Sequence, residues 1–354
     1  MTGLPRGFTV ALDRRARWRD GGAALLGGSP MRLLRLAPAA RRLLHGRAEL
    51  TVRDATSEAL ARRLLDAGVA HPAARAGGPA EAEVTVVVPV RDRPDGLRRL
   101  LAALSVTAPG VAEVIVVDDG SADPVGCRAV VQQGRSGQRI RLVRHRAPLG
   151  PATARNTGLA AARTACVAFL DSDVVPRPGW LAPLLAHLAD GSVAVAAPRI
   201  VALPAGDGWL DRYERLRSSL DLGPDPAPIV PRSRVAYVPS AALLVRRTAI
   251  GDGFAPDMTV AEDVDLVLRL HAAGWRLRYE PSAEVAHRHR TEPLAWWTRK
   301  AFYGTGAAPL ALRHPGAVPP AVWAPWGLAA CLLLGTQRRL GALAAAGVIA
   351  AAAL

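Results

Sequence analysis

Cysteine is scarce in this sequence, with three among 354 residues. Cys127, Cys166 and Cys331 are far apart, and none has a second cysteine at the spacing of a zinc knuckle. The sequence therefore predicts neither a disulfide framework nor a structural zinc site, and it favours a reducing compartment. The N-terminal segment also lacks the continuous apolar stretch of a cleaved signal peptide, so we do not expect one.

Acidic residues are in the minority, with 30 against 45 basic residues and a net charge of +15. Such an excess favours anionic partners, namely nucleic acid, phosphorylated substrates or an anionic membrane surface. Most of the basic residues are arginines scattered through Ala-, Leu- and Gly-rich sequence, so charge alone does not choose among these partners. The length predicts two or three domains, and a hydrophobic content of 50% supplies a large core.

Residues 1–76 are predicted to form a small winged-helix-like α+β domain. The segment GFTVALDRRARW predicts a β-ribbon, and a helix is expected over 29–46 with Ser29 as its N-cap. A second helix is expected over 54–68, with leucines spaced along one face. The composition of residues 77–83 is that of a linker.

Residues 84–300 alternate between short apolar runs and amphipathic stretches. This order predicts an α/β domain with a mostly parallel sheet and helices on both faces. Ligands bind outside the carboxyl ends of the strands in such sheets. We therefore expect Pro89–Arg91, Asp118–Ser121 and Asp171–Asp173 to lie around one crevice.

Residues 301–354 contain two apolar runs, at 321–335 and 341–354. Each run has about 15 residues, which is fewer than the roughly 20 that a spanning helix needs. We expect hydrophobic, membrane-associated helices here, in a chain that is truncated within the second run. The alternatives are interfacial helices and soluble helices that cover the core.

Two carboxylates follow a buried strand in VAFLDSDVVP. Asp171 and Asp173 repel each other, and burying them is costly unless a cation lies between them. A bound divalent metal would resolve this cost, whereas a simple polar turn at the end of the strand would avoid it. Taken alone, this segment leaves both interpretations open.

Further polar groups are expected at the same edge of the sheet. Asp118 and Asp119 end the second strand, where a carboxylate accepts from a nucleobase or a ribose hydroxyl, or only shapes a turn. Arg155 lies near the start of a helix, which suits a diphosphate, although a solvated arginine is the alternative.

A third cluster of acids begins a later helix. Glu262, Asp263 and Asp265 either stabilise the positive end of the helix dipole or provide a general base to the crevice. His287 and His289 then follow on one side of an extended segment, where they ligate a metal or are ordinary polar residues.

Five segments in this order resemble the family 2 glycosyltransferases, which have the GT-A fold. They are VTVVVPVRDRPDGLRRLLAAL, VIVVDDGSADP, GPATARNTGL, FLDSD and EDVDLVLRLHAAGWRLRYEP, and they span residues 84–290. The first familiar motif ends in Tyr-Asn, and Arg91-Asp92 stand in its place here.

The resemblance implies a role for each candidate residue. Asp263 would be the base that deprotonates the acceptor hydroxyl, and Asp173 and His287 would bind Mn²⁺ or Mg²⁺. The implied nucleotide-sugar site comprises Pro89, Arg91, Asp118, Asp119, Arg155, Asp171 and Ser172. Asp118 or Asp119 would contact the uridine, and Asp171 and Asp173 would form the DXD pair.

The implied activity is an inverting transfer from a nucleotide sugar, with UDP-glucose as the expected donor. The whole chain also resembles the glycosyltransferases of mycofactocin systems, which implies a β-1,4-glucan built on a peptide-derived redox cofactor at the cytoplasmic face of the membrane. If the C-terminal helices do not insert, the protein would be cytoplasmic.

Three alternative functions are kept open. They are a transferase of cell-wall or exopolysaccharide synthesis, an inactive sugar-nucleotide sensor and a basic nucleic-acid-binding protein. The acidic crevice motifs and the dispersed arginines argue against a nucleic-acid partner, and the complete acid set argues against an inactive sensor.

Overall fold

The computed structural model describes residues 3–73, 77–134, 138–318 and 324–353. The N-terminal region forms two three-stranded antiparallel sheets, in the orders β5-β1-β6 and β2-β3-β4, together with two helices. The strands are β1 (Thr9–Leu12), β2 (Arg17–Arg19), β3 (Ala24–Gly27), β4 (Arg32–Arg35), β5 (Glu49–Thr51) and β6 (Ala70–Pro72). The helices are α1 (Pro38–Leu44) and α2 (Ala55–Asp66).

The first predicted helix is only partly present. Its first half is strand β4, and α1 begins at Pro38, whose fixed φ suits the first turn of a helix. Ser29 does not cap a helix; its hydroxyl oxygen accepts a hydrogen bond from the backbone N–H of Arg234 at 2.7 Å. The predicted ribbon is also wrong, because β1 and β2 belong to different sheets.

The second predicted helix is confirmed as α2. The Asp54 carboxylate accepts the N–H of Ser57 at 2.8 Å, and the Ser57 hydroxyl in turn accepts the N–H of Asp54. This reciprocal cap satisfies two backbone donors that the first turn leaves free. The leucines on its predicted inner face are buried, namely Leu60, Leu64 and Leu65.

The central domain follows a short 3-10 helix at Glu81–Glu83. Its strands are β7 (Val84–Val90), β8 (Glu113–Asp118), β9 (Ile140–Arg144), β10 (Cys166–Leu170), β11 (Val174–Pro176), β12 (Val193–Ala202), β13 (Ala227–Pro228), β14 (Ala242–Arg246) and β15 (Arg276–His287). Its helices are α3 (Pro94–Thr107), α4 (Pro124–Gln133), α5 (Pro151–Ala161), α6 (Leu181–His187), α7 (Trp209–Arg217), α8 (Arg247–Ile250), α9 (Glu262–Ala272) and α10 (Pro293–Gly304).

These strands form one sheet in the order β11-β15-β12-β14-β10-β7-β8-β9, with β13 added beside β15. The half formed by β9, β8, β7 and β10 is parallel, as the alternating pattern predicts. The other half is mixed, because β14 runs antiparallel to both of its neighbours while β12 and β15 are parallel. Helices cover both faces, with α3, α4 and α6 on one and α5 and α9 on the other.

The strand directions gather the candidate site at one edge. The carboxyl ends of β7 and β8 lie side by side, since Val90 pairs with Asp118. The antiparallel β14 starts where β10 ends, so the N–H of Asp171 donates to the carbonyl of Ala241 at 3.0 Å. The end of β15 reaches the same edge through the pairing of His287 with Val174 on β11.

The C-terminal region contains α11 (Ala307–Arg313), α12 (Pro325–Gly335) and α13 (Arg339–Ala353), and α10 crosses the predicted boundary at residue 300. Within the described ranges, no helix combines the length and the apolar character that crossing a membrane requires. α12 and α13 pack as a pair and expose large apolar side chains, including Leu332, Leu340 and Leu343.

Gly158 sets how closely α5 approaches the sheet, because a Cβ there would lie 2.2 Å from Cγ1 of Val87 on β7. We expect Gly158→Ala to lower the free energy of unfolding by about 1–3 kcal/mol, as overpacking usually does. Gly304→Ala is the control, since a Cβ at that helical position meets nothing within 4 Å. Urea unfolding of both variants checks this, and equal midpoints would contradict it.

Candidate active site

The two DXD carboxylates lie on a tight turn between β10 and β11. Ser172, between them, is buried, and its carbonyl oxygen lies so close to Gly96 of α3 that a Cβ there would be 2.5 Å away. Helix α3 therefore packs directly against this turn. Asp171 and Asp173 are only partly buried and reach the crevice.

Asp173 and His287 lie close together, as the family resemblance implies. The β11–β15 pairing places the His287 Nε2 atom 3.5 Å from the Asp173 Oδ1 atom. The other carboxylate oxygen of Asp173 pairs with the guanidinium of Arg93, which sequence reasoning did not single out. One carboxylate and one imidazole thus face each other at the edge of the crevice.

Arg155 is not a solvated residue. It is 3% exposed, and its two terminal nitrogens donate to Asp171 at 2.7 Å and to Glu262 at 2.8 Å. The guanidinium also stacks over Phe254, with 5.2 Å to the ring centroid. Burial by itself lowers the pKa of Arg155, but the two carboxylates more than offset this and raise the pKa above its usual value. Both terminal nitrogens of the guanidinium thus donate to carboxylates and position them, while the predicted diphosphate contact of Arg155 stays a prediction.

The start of α9 places the predicted base. Ala261 precedes it in the left-handed region (φ 62°), which is strained for a residue with a Cβ and is found preferentially at functional sites. Asp263 is partly buried, and its oxygens accept the N–H groups of Ser240 at 3.1 Å and of Val264 at 2.8 Å. Burial raises the pKa of Asp263, against the lowering effects of the Ser240 hydrogen bond and of Arg155. An ionised Asp263 is therefore a stronger base than an ordinary aspartate.

Tyr237 also belongs to this region, although nothing in its local sequence marks it. Burial and the neighbouring charge of Asp263 raise the pKa of its phenol. The side chain is still 47% exposed. Glu262, on the other side of the helix start, is buried against Arg155, and its burial also raises its pKa.

The two carboxylates at the end of β8 are both buried and have partners within the protein. Asp118 pairs with Arg144 and accepts the N–H of Ser121 at 2.9 Å. Asp119 accepts from His145 at 2.8 Å and from the backbone N–H groups of Leu149 and Gly150 at 2.9 Å. Asp119 therefore shapes the loop that leads into α5. Which of the two contacts a nucleotide remains a prediction.

The loop after β7, where Arg91-Asp92 replace the familiar Tyr-Asn, borders a cavity of about 190 Å³. Asp92 has a positive φ of 53°, its N–H donates to the Ser121 hydroxyl at 3.0 Å, and its carboxylate accepts the N–H of Ala122 at 2.7 Å. Arg91 is exposed, with its Nε 3.5 Å from Asp92. Pro89 pairs with Val117 inside the sheet. The loops after β7 and β8 are thereby held together around this cavity.

Two further predicted residues have other partners. The His289 ring lies 3.0 Å from Asp211 of α7. Asp265 is fully buried and is engaged by Arg269 at 2.8 Å and by His314 at 2.8 Å. Asp265 therefore attaches the residues after α11 to α9.

The side chains at this edge supply only some of the ligands that a divalent cation needs. Within residues 3–73, 77–134, 138–318 and 324–353, no group of three or more His, Cys, Asp or Glu side chains could hold a metal ion. Asp173 and His287 supply two donors. Cations such as Mg²⁺ commonly take one or two protein ligands and complete their shell with substrate phosphate oxygens and water. The pair fits a cation that arrives together with a diphosphate.

Glycosyltransferases are among the known proteins whose sequences are similar to this chain. The model of the family described as "Glycosyl transferase family 2" matches residues 85–250. The pre-mycofactocin glycosyltransferase of Mycobacterium tuberculosis is 55% identical over 346 residues, which cover 97% of this chain and 71% of that protein. The N-acetylglucosaminyl-diphospho-decaprenol L-rhamnosyltransferase of the same organism is 31% identical, over 54% of this chain and 71% of that protein.

Among solved structures, a mannosyltransferase from Pyrobaculum calidifontis in complex with GDP-Man and Mn²⁺ superposes with a TM-score of 0.51 at 24% identity. The match covers 77% of this chain and 75% of that one, and it supports the predicted fold. The chain therefore belongs to glycosyltransferase family 2 and is a glycosyltransferase with a GT-A-like fold.

Proposed function

We propose that this glycosyltransferase is metal-dependent and inverting, and that it moves glucose from UDP-glucose to an acceptor hydroxyl to build a β-1,4-glucan on mycofactocin. The catalytic part of this proposal rests on one observation, namely that the proposed base and the proposed metal ligand lie at the same edge of the sheet. The raised-pKa carboxylate of Asp263 lies at the start of α9, and Arg155 joins this helix start to the turn that carries Asp173. The 55% identity to a pre-mycofactocin glycosyltransferase over nearly the whole chain supports the acceptor.

The arrangement supports a single displacement. Asp263 takes the proton of the acceptor hydroxyl as the oxygen attacks the anomeric carbon, and the diphosphate leaves from the opposite face, so an α-linked donor gives a β-glycoside. Ser240 fixes the rotamer of the base through its N–H. A divalent cation held by Asp173 and His287 would stabilise the charge on the departing diphosphate.

A role in cell-wall or exopolysaccharide synthesis is the second candidate. The rhamnosyltransferase relative supports it, and so does the succinoglycan biosynthesis protein ExoU of Rhizobium meliloti, which is 27% identical over 56% of this chain. These likenesses extend over only about half of the chain, so the mycofactocin acceptor is the better supported of the two.

Mass spectrometry of a pre-mycofactocin extract incubated with UDP-glucose and Mn²⁺ tests donor and acceptor together. We expect added hexose units with the wild-type protein. Asp263→Asn removes the proton acceptor while keeping the shape of the side chain, so we expect the rate to fall roughly 10²–10⁴-fold with UDP binding retained. Transfer at the wild-type rate by this variant would rule out Asp263 as the base.

Binding of UDP in the presence and absence of Mn²⁺ tests the metal pair. We expect Asp173→Asn to weaken the Mn²⁺-dependent part of UDP binding by roughly tenfold or more, since even outer-shell changes at metal sites have effects of this order. Asp207→Asn is the control, because the Asp207 carboxylate is fully exposed and its nearest ionic partner, Arg215, is 3.8 Å away. Calorimetric titration that gives equal Mn²⁺ dependence for both variants would contradict the assignment.

We also propose that the protein associates with the cytoplasmic face of the membrane. Exposed apolar side chains on α10, α12 and α13 support this, among them Trp297 at 64% and Leu340 at 81% exposure. We expect Trp297→Glu to reduce co-sedimentation with anionic lipid vesicles, because Trp prefers the membrane interface. Val106→Glu, at an exposed apolar position of α3, is the control. Equal binding by both variants would argue against α10 as the contact.

A further inference from the structure

Arg93 occupies a position that the proposed catalytic cycle does not yet explain. It directly precedes α3, and its guanidinium pairs with the Oδ2 atom of Asp173. The Oδ1 atom of the same carboxylate faces His287. Both oxygens of the proposed metal ligand therefore face protein groups, and one of these groups is a cation.

Arg93 also lines the cavity beside the first motif, together with Asp92, Ser121 and Cys127. This residue thus spans the distance between that cavity and Asp173. If the nucleoside part of the donor enters the cavity while its diphosphate approaches Asp173 and His287, the diphosphate has to pass along Arg93. The Arg93 side chain is 42% exposed, so its guanidinium is free to change partners.

The neighbouring arginines do not share this position. Arg91 faces Asp92 on its own loop, and Arg155 is buried between Asp171 and Glu262. Among the arginines that pair with the carboxylates of the DXD turn in the described residues, Arg93 is the one with an exposed side chain. It is therefore the cation best placed to leave Asp173 for a phosphate group, with which a guanidinium forms strong charge-assisted hydrogen bonds.

We propose that Arg93 is an exchangeable cation that neutralises Asp173 until the donor arrives, then transfers to the diphosphate and releases Asp173 to the metal. This role rests on the proposed nucleotide-sugar donor. The physical consequence is that metal binding and donor binding are coupled. A metal ion alone has to displace Arg93 from Asp173 and leaves the guanidinium without a new partner. When metal and diphosphate bind together, Asp173 pairs with the metal and Arg93 pairs with the diphosphate. Metal and donor should therefore bind cooperatively, each strengthening the other.

The test is to measure Mn²⁺ binding alone and UDP binding in saturating Mn²⁺, by electron paramagnetic resonance and calorimetry, for the wild type, Arg93→Ala and Arg93→Gln. Removing the competing cation should tighten the binding of Mn²⁺ alone. The same change should weaken UDP binding in Mn²⁺, and we expect the coupling between the two to fall on the order of tenfold. Arg98→Ala is the matched control and should leave both constants unchanged, because its guanidinium is 54% exposed and pairs with Asp95 on α3, outside the proposed site.

Opposite signs of the two effects distinguish exchange from a purely structural role, which would weaken both. Weaker or unchanged binding of Mn²⁺ alone, or unchanged UDP binding, would overturn the proposal while leaving the donor assignment intact. If the wild-type protein did not bind UDP in Mn²⁺ at all, the proposed donor would fail first, and the role of Arg93 with it.

Discussion

The active-site edge depends on one buried guanidinium. Arg155, on α5, holds Asp171 at the end of β10 and Glu262 at the start of α9. Breaking such a buried pair by removing one partner usually costs about 3–5 kcal/mol, because uncompensated charge is left behind. The residue that follows Glu262 is the proposed base. Arg155 therefore joins the DXD turn to the base across the crevice.

The remaining carboxylates of the crevice are stabilised in the same way, each by its own partner. Arg144 neutralises Asp118, and His145 with two backbone N–H groups satisfies Asp119. The Asp173 pair is the more exposed of the two arginine pairs, with 42% exposure for Arg93 and 18% for Asp173, against 32% for Arg144 and 1% for Asp118. A buried pair is fixed, whereas an exposed pair exchanges partners at small cost. Asp118 is therefore held in a more enclosed pair than Asp173, the acid that we propose binds the metal.

Helix α9, whose first turn contains the proposed base, is also held by residues that follow it in the chain. Asp265, in the first turn of α9, is fully buried and accepts from His314 after α11. Gly306, just before α11, packs so closely on Ala261 that a Cβ there would lie 2.8 Å from the Ala261 Cβ. The strained residue before the base is therefore supported by the C-terminal region.

The sequence by itself determined the parallel half of the sheet and α2, because apolar periodicity and strand ends are local properties. The meeting of Asp173 with His287 was implied only by the family resemblance. Residues 29–46 were misassigned, since leucines at helical spacing also fit a short strand followed by a helix that Pro38 starts. Only the tertiary structure placed the antiparallel β14, buried Arg155 between two acids, and set Arg93 against Asp173. Such contacts join residues that are distant in the chain, and the charge balance of a crevice is decided by which of these residues meet.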